Sequence, residues 1–165
     1  MVFDMTPFAF GHTLIALLGI ATGFVVIAGL LRGSVLRGWT AAFLLTTVAT
    51  SVTGFGFAAD QILPSHIVGA LSLVILVLAI AALYAFGMRG PWRAVYVLGA
   101  VSALYLNVFV LVVQLFRKVP ALHALAPTEA EAPFVATQAV ALLAFILIGV
   151  TALRRARPWP RLAAR

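Results

Sequence analysis

Five long apolar stretches, at residues 8–31, 39–59, 65–88, 92–116 and 132–153, alternate with short polar breaks along the chain. Each is about as long as the roughly 20 apolar residues that an α-helix needs to cross a hydrocarbon core of about 30 Å. The pattern predicts an all-α integral membrane bundle of five transmembrane helices forming a single domain. Local punctuation agrees with it. Thr6-Pro7 reads as an N-cap followed by a first-turn proline, Gly33 and Gly90 follow predicted helix ends, and Pro91 suits the opening of the fourth helix. Thr128-x-x-Glu131 has the spacing of a capping box ahead of the fifth helix, but Pro133 competes as first helical residue, leaving that start open by a turn. Pro120 and Pro127 bracket a short apolar segment, which predicts a small helix lying in the membrane interface. No Lys or Arg precedes the first stretch and no small-residue cleavage site follows it, so it is expected to be retained rather than removed as a signal peptide.

Composition sharpens the class. Apolar residues make up 64% of the chain and charged residues 9%, with a mean hydropathy of +1.17. A soluble domain clothes itself with about 25% charged residues, so most of this surface must face lipid. The net charge of +7 does not point to nucleic acid, because the basic residues punctuate apolar runs instead of forming a patch on a soluble face. The absence of cysteine excludes disulfides, thiolate metal sites and cysteine catalysis.

The basic residues also predict orientation. Arg32, Arg37, Arg89, Arg93, Arg154, Arg155, Arg157, Arg161 and Arg165 fall on one side of a five-span chain, and only Arg117 and Lys118 on the other. The excess marks the cytoplasmic side, with the amino terminus outside and the carboxyl terminus inside. Its basic rim suits anionic lipid headgroups, although topology signalling alone also accounts for it. Asp4, Asp60, Glu129, Glu131 and the three histidines, His12, His66 and His123, all fall on the outer side.

Within the spans, polar residues concentrate in the outer half. At about 1.5 Å per helical residue, His12 lies about 7–8 Å inside the first helix. Thr53, Gln114 and Gln138 reach similar depths in three other helices, Asn107 is deeper, and His66 stands in the first turn of the third. Polar side chains facing lipid are costly, so these six are expected to point inward, as the lining of an outward-facing pocket for a small ligand, lipid, quinone or metal. The competing reading is interhelical glue. Thr46, Thr47, Thr50, Ser51 and Thr53 fit it through bonds to the preceding helical turn, and Gly19-x-x-x-Gly23 and Gly69-x-x-Ser72 supply small faces for close packing.

Specific chemistries find less support. His12 and His66 on parallel helices raise bis-imidazole haem ligation, but no inner-half histidine exists for a second haem. A divalent metal held by His12, His66, His123 or Asp60 has no local ligand spacing behind it. Nucleophile elbow, zinc-protease, phosphate-loop and dinucleotide motifs are all missing, and no carboxylate lies within a span, so neither an enzyme nor a proton-coupled transporter is expected.

Two segments carry a family likeness: 63–69, Leu-Pro-Ser-His-Ile-Val-Gly, and 104–128, from Leu-Tyr-Leu-Asn through Gln114 to Pro127-Thr128. Through them the chain resembles a functionally unassigned family of small polytopic inner-membrane proteins of proteobacteria, over most of its length. The resemblance implies a bacterial inner-membrane setting and no activity or cofactor. The expected role is therefore ligand binding at the outward pocket. The alternative is a structural or accessory subunit of a larger membrane complex or homo-oligomer, and the third reading is a single-haem cytochrome.

Overall fold

The computed structural model describes residues 6–57 and 64–155, and these are helical with short turns between. Helix α1 (Pro7–Leu31) starts as predicted: the Thr6 hydroxyl accepts the Ala9 N–H at 3.2 Å and Pro7 fills the first turn. It ends at Arg32, and Gly33 takes the left-handed conformation, φ +71°, that lets the chain reverse. Helix α2 (Arg37–Gly54) follows, then α3 (Pro64–Ile80), which continues into a wider π turn, Ala81–Ala85. Helix α4 (Trp92–Lys118) is followed by the short α5 (Pro120–Leu125) and by α6 (Ala132–Arg155). The proline-bracketed segment thus forms a helix, as its sequence predicted.

Four helices, Pro7–Leu31, Ser65–Ala85, Trp92–Lys118 and Ala132–Arg155, are long and apolar enough to cross a membrane. Helix α2 is not among them, and of the predicted span 39–59 the helical part among the described residues stops at Gly54. There the last N–H groups turn inward to carbonyls three residues back, Phe55 to Val52 and Gly56 to Thr53. Residues 58–59 lie outside the described residues. The early stop coincides with a contact from α1. A side chain at Gly56 would meet the Phe8 ring at 2.7 Å, so the chain closes tightly on the start of α1. Six of the 18 residues of α2 are Ser or Thr, which makes it the least apolar of the long helices.

Helix α4 is the hub, touching α1, α2, α3 and α6, while α2 fills the space between α1 and α3. Small residues set the spacing. Gly23 of α1 faces Phe43 and Leu104, Gly99 of α4 faces Ala79, and Gly69 of α3 faces Phe55 and the Ser51 carbonyl. The core gathers on α4, where Tyr96, Val97, Ala100, Ala103 and Leu104 are all fully buried. Connectivity puts Arg32, Arg37, Arg89, Arg93, Arg154 and Arg155 at one end of the bundle and Arg117 and Lys118 at the other. At the first end the Arg155 guanidinium donates to the Leu31 carbonyl at 3.2 Å, closing the C-terminus of α1.

At the second end the α5–α6 connection is held by charge. Arg117 pairs with Glu129. The Glu131 carboxylate accepts from the Thr128 hydroxyl at 2.9 Å, the Thr128 N–H at 3.2 Å and the Ala130 N–H at 3.1 Å. This is not the reciprocal capping box that the spacing predicted. The helix begins only at Ala132, with Pro133 in its first turn, and the carboxylate closes the turn before it. Desolvation acts to raise the Glu131 pKa, but the bonds from Thr128 and the backbone outweigh it and hold the carboxyl below its ordinary 4.5. Its stabilisation is therefore complete above pH 4.5 and fades as the pH falls through the lower folded value. The Thr128 and Ala130 amide NMR shifts are expected to stay constant from pH 7 to 5 and to move together in stronger acid. Movement centred above pH 4.5 would refute the assignment.

Candidate functional site

The polar residues of the outer half resolve into separate pairs, each made by two neighbouring helices. His12 of α1 meets Thr53 of α2, with Nδ1 2.8 Å from Oγ1. The Thr53 proton is already committed to the Ala49 carbonyl at 2.7 Å. That arrangement fits the tautomer in which the His12 Nδ1–H donates to Thr53 Oγ1 and Nε2 carries the lone pair. The ring stands edge-on to Phe57 at 5.0 Å, and Phe57 in turn meets Phe8 at 5.1 Å. A side chain at Gly54 would lie 3.9 Å from His12 Cε1, so the glycine leaves room beside the ring.

His66 packs elsewhere. It stacks on Phe55 at 5.6 Å, on the α3 side of α2, whereas His12 meets Phe57 on the α1 side. Among the described residues no three His, Asp or Glu side chains gather as metal ligands would. Asp60 lies outside the described residues, and His123 is exposed on α5.

Asn107 faces α2, donating to the buried Thr47 hydroxyl at 3.4 Å, beside Gly19 of α1. Thr46, Thr50, Ser51 and Thr53 bond to carbonyls of the preceding turn, as expected of helix-interior hydroxyls. Thr47 departs from that expectation by receiving Asn107. Ser51 also reaches Ser72 of α3 at 3.1 Å. Gln138 of α6 donates to the Phe109 carbonyl of α4 at 3.2 Å. Gln114 is exposed. It stands seven residues beyond Asn107, as Gly54 stands seven beyond Thr47, and α2 and α4 run in the same direction. At that height α2 has just ended, so Gln114 is level with the His12–Thr53 pair and uncovered by α2.

Sequence reasoning missed two features. Thr40 and Tyr96 are fully buried near the arginine-rich end, and neither hydroxyl has a hydrogen-bond partner among the described residues. Neither residue sits at a depth or spacing that marks it in sequence, because Thr and Tyr near helix ends are common. The second is a groove of about 250 Å³ between α4 and α6, lined chiefly by Leu98, Val101, Ser102, Tyr105, Phe145 and Gly149. Its walls read as ordinary apolar helix until the two helices are set side by side. No protein-family model, curated protein or solved structure matches this chain.

Proposed function

We propose that this protein is a non-enzymatic, five-span membrane protein that binds a small ligand at an outward-facing site centred on His12 and Thr53. The observation that carries the reading is the 2.8 Å contact between His12 Nδ1 and the Thr53 hydroxyl. An imidazole at membrane depth, held at Nδ1 by a hydroxyl that also bonds the Ala49 carbonyl, has its second ring nitrogen for a ligand. Such an atom accepts a proton from a hydroxyl or amine, or ligates a metal ion. Gln114, at the same height, adds a second polar group. The crossing of α2 belongs to the proposal. Its 18 residues span about 27 Å, close to a thin hydrocarbon core. So do the orientation, with the amino terminus outside, the setting in a bacterial inner membrane, and anionic lipid at the basic rim. The arginine-rich end supports the orientation and the lipid contact.

Native mass spectrometry of the gently extracted protein tests the reading. A bound species is expected on the wild type and is expected to be lost in His12→Gln, which keeps the size and polarity of the side chain but not the basic nitrogen. A wild type with no bound mass, or a variant that keeps it, would end the proposal. A bound haem would appear in the same spectrum and as a Soret band.

One observation favours the alternative, an accessory subunit. Helix α6 leaves Val140, Leu143 and Leu147 at 67%, 61% and 68% exposure along one face, wide enough for a neighbouring helix. Crosslinking before extraction separates the two, because a stoichiometric partner on α6 supports the subunit and its absence counts against it.

A further inference from the structure

Most Ser and Thr residues inside the described helices return their proton to the preceding turn, with Thr40, Thr47 and Ser72 among the exceptions. Thr13, Thr22, Thr46, Thr50, Ser51, Thr53, Thr137 and Thr151 all return it. Ser102 does not. Neither its hydroxyl nor that of Tyr105 has a hydrogen-bond partner among the described residues. Both line the α4–α6 groove, three residues apart and hence on one face of α4. Ser102 stands ten residues beyond the start of α4, about 15 Å along the helix and near mid-membrane. Two hydroxyls without a partner, on residues that line a groove at that depth, lie where water does not serve them.

The rest of the groove is apolar and aromatic. Phe145 stands 5.6 Å from the Tyr105 ring and tilted to it. Gly149 leaves the floor bare, since a side chain there would first meet Val101 at 3.6 Å and then enter the groove. A phospholipid chain satisfies the walls but not the hydroxyls, because it carries no acceptor at mid-depth. The occupant that satisfies both is a flat, membrane-soluble molecule bearing a carbonyl acceptor. We infer that the α4–α6 groove is a binding site for a membrane quinone, its ring against Phe145 and Tyr105 and a ring carbonyl accepting from Ser102 and Tyr105. This site is distinct from the His12–Thr53 pair and does not rest on it.

The test is equilibrium binding of decylubiquinone to the detergent-purified protein, with decylbenzene as a chain of equal length lacking the carbonyls. Wild type is expected to bind the quinone at least about tenfold more tightly than decylbenzene, the scale of one or two hydrogen bonds in a dry site. The double variant Ser102→Ala, Tyr105→Phe is expected to lose that preference while keeping its helical circular dichroism. Gly149→Leu, which fills the groove, is expected to abolish binding of both compounds. Equal affinity of wild type for the two compounds would reduce the groove to an acyl-chain slot and overturn the proposal. Undiminished quinone binding by the double variant would overturn it as well.

Discussion

Gly23→Val is expected to lower the stability of the detergent-solubilised protein by more than any other single glycine substitution in α1. The first added carbon would stand 2.6 Å from Leu104 Cδ1 and 2.9 Å from the Phe43 ring. Both neighbours are fully buried, so the ring cannot turn away without displacing others. Even alanine sets a helix-propensity gain of about 1 kcal/mol against an overpacking loss of about 1–3 kcal/mol, and the loss prevails. Valine adds two methyl groups to the same clash. Gly19→Ala provides the contrast, for its nearest neighbours, the Thr46 and Thr47 hydroxyls, lie at 3.4 Å and need hardly move. Thermal unfolding followed by circular dichroism decides it: a Gly23→Val midpoint equal to that of Gly19→Ala would show that α1 does not cross α2 and α4 at Gly23.

Phe43→Ala is expected to cost about 3 kcal/mol, the lower end of the range for a buried phenylalanine. Phe43 is fully buried in α2, against Gly23. In water the loss would combine lost transfer free energy with the cavity left behind. In a membrane the chains around the unfolded helices are themselves apolar, so the transfer part shrinks and the lost packing contacts dominate. Leu45→Ala, at 71% exposure on the same helix, is expected to be nearly neutral, because lipid replaces what it loses. If the two variants unfold alike in graded denaturation, α2 does not present Phe43 to the core, and the helix must be rotated from its position here.

The hydrophobic pattern carried most of the architecture, because a membrane imposes length and polarity limits that read directly in one dimension. Thr6-Pro7 started α1 where expected, and Pro120 and Pro127 enclosed α5. The exceptions are places where a neighbour decides. The end of α2 coincides with Phe8 standing over Gly56, a contact between residues far apart in the chain. The capping spacing at Thr128 was legible, yet whether Glu131 caps a helix or closes a turn depends on where Pro133 lets the helix begin.

The candidate site divides along the same line. The sequence determined that the polar side chains of the spans crowd toward one end of the bundle, and that helix two is rich in hydroxyls, since depth follows from counting residues along a helix. Direction around each helix axis belongs to the tertiary structure. It turned His12 to Thr53 and His66 to Phe55, gave Asn107 to Thr47, and left Gln114 uncovered where α2 stops. It also set α4 beside α6, so that Ser102 and Tyr105 line one groove. A helix fixes the height of a residue by itself, but only its neighbours fix what that residue meets.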